Sequence, residues 1–187
     1  MTKIFLRFLN APALVILLTL GIAVQTSLFG FWPLQYLQPD IVLIAVVWFG
    51  LKRKFIEGGI LTLIISAIAE SHSAAPQGLF LITYMSIYLL VRMADRTFVI
   101  PNLSAIVMLT LFSSVLWKLG CLGVLSALGA SSNQWRHTLM FLFPGAVIEG
   151  SVSIWAFRWL DKFDVITFKN LKGDDSVENE FLMEGLE

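Results

Sequence analysis

The feature that most limits what this chain can fold into is a succession of apolar runs separated by basic clusters. No charged side chain occurs from Ala11 to Phe31, and further apolar runs cover residues 41–51, 58–69, 77–93, 103–128 and 139–160. A helix needs about 20 apolar residues to cross the ~30 Å hydrocarbon core of a bilayer. Six crossings therefore nearly exhaust 187 residues. Composition agrees: 57% of residues are hydrophobic and 14% charged, against roughly 45–50% and 25% in water-soluble domains. The expected fold is all-α, an integral membrane bundle of six transmembrane helices.

Residues 1–10 carry Lys3 and Arg7 among Ile4, Phe5, Phe8 and Leu9 and read as a cytoplasmic amphipathic approach to the membrane. The run from Ala11 exceeds the roughly 7–15 residues of a signal-peptide core and lacks a small-residue cleavage site. It reads as an uncleaved first span that Trp32 and Pro33 terminate. Spans two (41–51) and three (58–69) are short. As helices they rise only about 16–18 Å, so neither is expected to face lipid unaided. They either lengthen by a turn at each end or form a covered re-entrant hairpin. Residues 11–160 form the expected transmembrane domain, and 161–187 an acidic cytoplasmic tail with six carboxylates after Lys172.

Orientation follows from the cations. Lys3 and Arg7, the trio Lys52, Arg53 and Lys54, then Arg92 and Arg96, and finally Arg158, Lys162, Lys169 and Lys172 all fall on one side of a six-span arrangement. The opposite loops hold only Arg136, and Lys118 lies within span five. By the positive-inside rule both termini are cytoplasmic. A re-entrant hairpin would hold the basic trio inside the membrane at high cost, which favours six crossings. Trp32, Tyr36 and Trp135 fall in the outer loops, and Trp155 and Trp159 near the inner end of span six, as interfacial anchors do.

Two ionisable residues sit inside spans. Lys118 lies ten residues before Leu128, and Glu149 ten residues after Leu139. Both are then about 15 Å below the outer surface, and they are expected to face one another. The pair suits a register-setting ion pair, a contact to a partner's helix, or substrate or proton handling. Pro144 removes a backbone donor nearby, and Gly145, Ala146 and Gly150 offer a smooth surface for helix approach. A second group lies at the outer face. Asp40 follows Pro39 as an expected helix N-cap, Glu70 closes span three, and Pro76 and Gly78 turn the chain into span four. Capping and turn formation account for these residues, and a partner contact at that face is the functional alternative.

Several chemistries find no support. Glu70, Ser71 and His72 are adjacent and point in different directions, without a third group to complete a catalytic set. His72 and His137 lie in different loops and Cys121 is the single cysteine, so no metal-ligand spacing and no disulfide arise. Phosphate-cradling glycine motifs are absent, and equal counts of 13 basic and 13 acidic residues exclude a bulk basic face for nucleic acid only where the two signs are mixed, whereas here they are separated along the chain. No cofactor and no enzymatic activity are expected.

Gln38-Pro39-Asp40-Ile41 opening a short span, a basic turn, Gly58-Gly59, a span closing on an acidic residue, and Pro76-Gln77-Gly78-Leu79 opening the fourth span together resemble the MreD family of bacterial rod shape-determining membrane proteins. The resemblance covers roughly residues 12–160 and is densest between 38 and 90. That family commonly ends its third span with a glycine four residues before an aspartate; here Ser66 and Glu70 occupy those places. The resemblance implies an inner-membrane subunit of the cell-wall (peptidoglycan) elongation machinery, similar in fold to the substrate-binding subunits of vitamin-uptake transporters. It implies as partners an MreC-like bitopic protein, an MreB-like actin filament protein, and the elongation glycosyltransferase and transpeptidase. The function expected first is a non-catalytic membrane scaffold holding partner membrane proteins. The alternative is a small-molecule-binding, substrate-capture subunit of a transporter, with an outer cavity near Asp40, Glu70 and the Trp-containing loop. The two differ in whether an enclosed cavity of about 300 Å³ or more with converging polar groups is present.

Overall fold

Residues 41–52 read IVLIAVVWFGLK and bear no charged side chain before Lys52. A helix apolar on every face is stable only where all of its faces are covered. In the structure, a computed structural model describing residues 2–28, 38–97, 103–129 and 134–167, that is where the segment lies. The chain forms α1 (Thr2–Leu28), α2 (Ile41–Lys52), α3 (Phe55–Ser71), α4 (Leu79–Thr97), α5 (Leu103–Ala127) and α6 (Gln134–Ile166), with no strand among the described residues. α2 touches each of the other five helices, and every residue from Val42 to Leu51 is buried.

Close approach to α2 depends on small residues. A Cβ on Gly50 would lie 2.6 Å from Val91 Cγ1 of α4. One on Gly58 would lie 2.9 Å from the Tyr88 hydroxyl and 3.1 Å from the Phe49 carbonyl oxygen. Around this centre α5 packs along α6, α3 along α4, and α1 against α2 and α3. Gly150 of α6 meets Val107 and Leu111 of α5, where its bare backbone admits the neighbouring helix.

Two helices, α1 over Leu9–Leu28 and α5 over Ser104–Ala127, are long and apolar enough to cross a membrane. The outward faces are aliphatic and aromatic: Ile16, Leu20 and Val24 on α1, Met108 and Phe112 on α5, and Phe143 and Trp155 on α6 are all exposed. The buried set includes Asn10, Asp40, Arg53, Glu149 and Asp164.

Several boundaries differ from the sequence reading. The amphipathic N-terminus is not a separate element, because α1 runs unbroken from Thr2 through Pro12 to Leu28. α3 extends over 17 residues rather than twelve. α6 does not stop where the composition turns polar but continues to Ile166, because Asp161 and Asp164 find partners inside the bundle. Trp32, Tyr36 and the acidic tail from Asp174 lie outside the described residues, as do the side chains of Lys3, Arg7, Trp135, Arg136 and His137.

Candidate functional site: buried polar clusters and a cavity

α2 is about 18 Å long at 1.5 Å per residue, and polar side chains gather at both of its ends. At the first end Asp40 adopts an extended conformation and caps the helix, accepting from Leu43 N–H at 3.0 Å. Its other oxygen accepts from the Tyr84 hydroxyl at 2.6 Å. Gln25 of α1 adds an acceptor for Ile41 N–H at 3.2 Å. Two otherwise orphaned amides of the first turn are thereby satisfied.

Glu70 plays the same part for a different helix. Its carboxylate accepts from Gly78 N–H at 2.5 Å, Phe80 N–H at 3.2 Å and Leu81 N–H at 3.4 Å, the opening amides of α4. This requires the chain to double back within eight residues, and Gly78 supplies a left-handed backbone at φ +88° that residues with a Cβ adopt only at a cost. Pro76 contributes the carbonyl that accepts from Leu79 N–H at 3.2 Å. Pro39 is half-buried directly before the Asp40 cap. Asp40 and Glu70 thus serve separate helices.

Lys118 and Glu149 meet across the α5–α6 interface. The ammonium lies 3.0 Å from Glu149 Oε1 and donates to Ser114 Oγ at 3.3 Å. Glu149 is 1% exposed, and its second carboxylate oxygen makes no hydrogen bond among the described residues. Gly145 is what admits the ammonium, since a Cβ there would fall 2.5 Å from Lys118 Nζ. An aromatic bridge connects this pair to the Asp40 cap. Tyr84 stacks on Trp117 with centroids 5.5 Å apart at 22°, and Phe80 leans on the same indole at 6.0 Å.

Beside that bridge lies a cavity of about 440 Å³ between residues 73–76, the start of α4 and α5. Lys118 and Cys121 line it, whereas Asp40 and Glu70 do not. The outer cavity sought from the sequence near Asp40 and Glu70 is therefore built around Lys118 and Trp117.

The opposite end of α2 holds a cluster that sequence reasoning missed. Arg53, counted in the sequence as a member of a basic loop, is 2% exposed. Its guanidinium donates to Asp164 at 2.6 Å, to the Asn10 side-chain carbonyl at 2.8 Å and to Glu57 at 3.1 Å, and stands 5.0 Å over the Trp48 ring. Asn10 in turn donates to Asp164 at 3.0 Å, and the Trp48 indole donates to Asp161 at 2.9 Å. The cluster ties α1, α2, α3 and α6 together. Arg92 of α4 completes it by donating to the Gly50 and Arg53 carbonyls at 3.0 and 3.1 Å, a cation placed on the C-terminal end of the α2 dipole. Tyr84, Tyr88 and Arg92, four residues apart along α4, form one stripe that reaches the N-cap of α2, the Phe55 carbonyl and the C-terminal carbonyls of α2.

Ser71 and His72 are exposed and bond locally, both to the Ile68 carbonyl. No group of three metal-ligating side chains occurs among the described residues. Comparison with protein-family models, curated proteins and solved structures finds no match.

Proposed function

We propose that this chain is a membrane-embedded scaffold of six crossing helices, a subunit of the bacterial cell-wall elongation machinery. One observation carries the membrane reading: the helices turn large apolar side chains outward while their largely apolar interior also encloses charged ones. Exposed positions hold Ile16 at 62%, Met108 at 68% and Phe143 at 71%, while Arg53, Glu149 and Asp164 are 2% exposed or less. Water as solvent would leave that apolar exterior uncovered and tend to draw the charges outward. Acyl chains reverse both preferences, and charges inside a membrane bundle are expected to pair, as Lys118 and Glu149 do.

The assignment to wall elongation rests on the resemblance between residues 38 and 90 to the MreD family. In this reading the protein is multi-pass in the inner membrane with both termini cytoplasmic, and it holds an MreC-like bitopic protein with the wall-synthesising enzymes and the actin-like filament. The scaffold's partners meet its lipid-exposed faces, because Asp40 is buried and committed to Tyr84 and Leu43. Solubilised native membranes should yield the MreC-like protein together with this chain. Recovery of the chain from the soluble fraction, or from membranes without any wall-elongation partner, refutes the proposal.

A second reading, a substrate-capture subunit of a transporter, is favoured by the 440 Å³ cavity, which falls in the size range of small-molecule sites, about 300–1,000 Å³.

A further inference from the structure

The cavity beside Trp117 is lined mainly by apolar side chains, with Ser73 and one ionic residue among them. Phe80 and Trp117 form one wall, Leu122 and Leu125 another, and the ionic residue is Lys118. Its side chain is 16% exposed. The bonds to Glu149 and Ser114 use two of the three N–H groups of the ammonium, leaving a third donor for a molecule in the cavity. Glu149 already balances the charge of Lys118, so a ligand anion would gain no free cation. A ligand cation would meet the ammonium itself. An uncharged acceptor on an apolar body satisfies both the donor and the walls.

We infer that this cavity is a binding site for an uncharged ester or amide, whose carbonyl oxygen accepts from Lys118 Nζ while its apolar body lies against Trp117 and Phe80. The carbonyl has two sources, an acyl ester of the surrounding bilayer or a small molecule arriving from water. The site concerns the cavity that favours the second reading, yet it serves a scaffold as well as a capture subunit, so copurification with the MreC-like protein is independent of it.

Cys121 lines the cavity and is the only cysteine of the sequence, which makes its alkylation by N-ethylmaleimide a direct readout. The full-length protein is placed in nanodiscs of ester-linked phosphatidylcholine and, separately, of the ether-linked analogue, which has no carbonyl. In ether discs N-butylbenzamide should slow alkylation, about tenfold at ten times its dissociation constant. 4-Butylbenzoate and 4-butylbenzylamine, of similar shape but charged, should not. Slower alkylation in ester than in ether discs before any addition assigns the carbonyl to the bilayer; equal initial rates followed by protection with the amide assign it to a water-borne molecule.

Lys118→Met strands Glu149 and endangers folding, so the informative variant is Ala75→Phe, which fills the cavity from the 73–76 segment and leaves the ion pair intact. It should abolish the dependence on ester and amide alike. Alkylation rates equal in both lipids and unmoved by N-butylbenzamide overturn the inference. So does protection by the carboxylate as strong as by the amide, or protection undiminished in Ala75→Phe.

Discussion

Replacing Arg53 with methionine keeps the apolar stem and removes the guanidinium. Asp164, 1% exposed, then loses its contact at 2.6 Å, and Asn10 and Glu57 lose theirs at 2.8 and 3.1 Å. Removing one partner of a buried ion pair costs about 3–5 kcal/mol, chiefly because the remaining charge stays buried without its counter-ion. Loss of the cation over Trp48 at 5.0 Å removes a further ~0.5–2 kcal/mol, partly offset by methionine packing on the indole. A total near 4 kcal/mol corresponds to roughly a thousandfold fall in the folded-to-unfolded ratio. Asp164→Leu should cost less, because Arg53 keeps Glu57 and Asn10 as partners. The double variant removes both charges, and it should be less destabilised than the sum by about 2–3 kcal/mol. Unfolding the four proteins in mixed micelles with increasing dodecyl sulfate measures each stability. Additivity within about 0.5 kcal/mol would refute the idea that these two side chains stabilise the bundle by meeting each other.

The same logic applies to the other pair: Lys118→Ala and Glu149→Ala should each lower the melting temperature more than the double change does, as measured in detergent. Gly145→Ala places a Cβ 2.5 Å from Lys118 Nζ and should cost about 1–3 kcal/mol as the ammonium is pushed off Glu149, read as earlier loss of the monodisperse species on heating. Glu70→Ala removes the acceptor for the opening amides of α4. It should cost about 1–2 kcal/mol and speed hydrogen exchange at Gly78, Phe80 and Leu81, with exchange unchanged at Leu43, which Asp40 caps.

Much of the arrangement was legible from local pattern. Helix rise alone put Lys118 and Glu149 at one depth, and their charged atoms lie 3.0 Å apart. The Pro39-Asp40 step announced an N-cap, and the shortness of the second apolar run announced that other helices would enclose it. Arg53 was not legible. Three adjacent cations look alike to a rule that counts charge per loop, and nothing in their spacing says which one turns inward. Glu57, one helical turn on, is within reach of periodicity, but the other two partners are 43 and 111 residues away in the chain. Asp161 and Asp164, one turn apart at the end of α6, were the available hint, but their polarity reads as an exit from the bundle. The cavity was displaced from its expected place for a related reason: Asp40 and Glu70 spend their oxygens on helix amides, and the only charged side chain left to line the gap is Lys118.

The order in which α2 receives its polar partners has a consequence for biogenesis. α2 leaves the ribosome before the α4 stripe that caps both its ends, and long before Asp164, which neutralises Arg53. A nascent chain halted anywhere ahead of α6 can pair the Arg53 guanidinium with Glu57 and Asn10 but lacks Asp164, its shortest contact. The last helix to be synthesised therefore completes the charge balance of the α2 C-terminal end, which the earlier helices leave half-made.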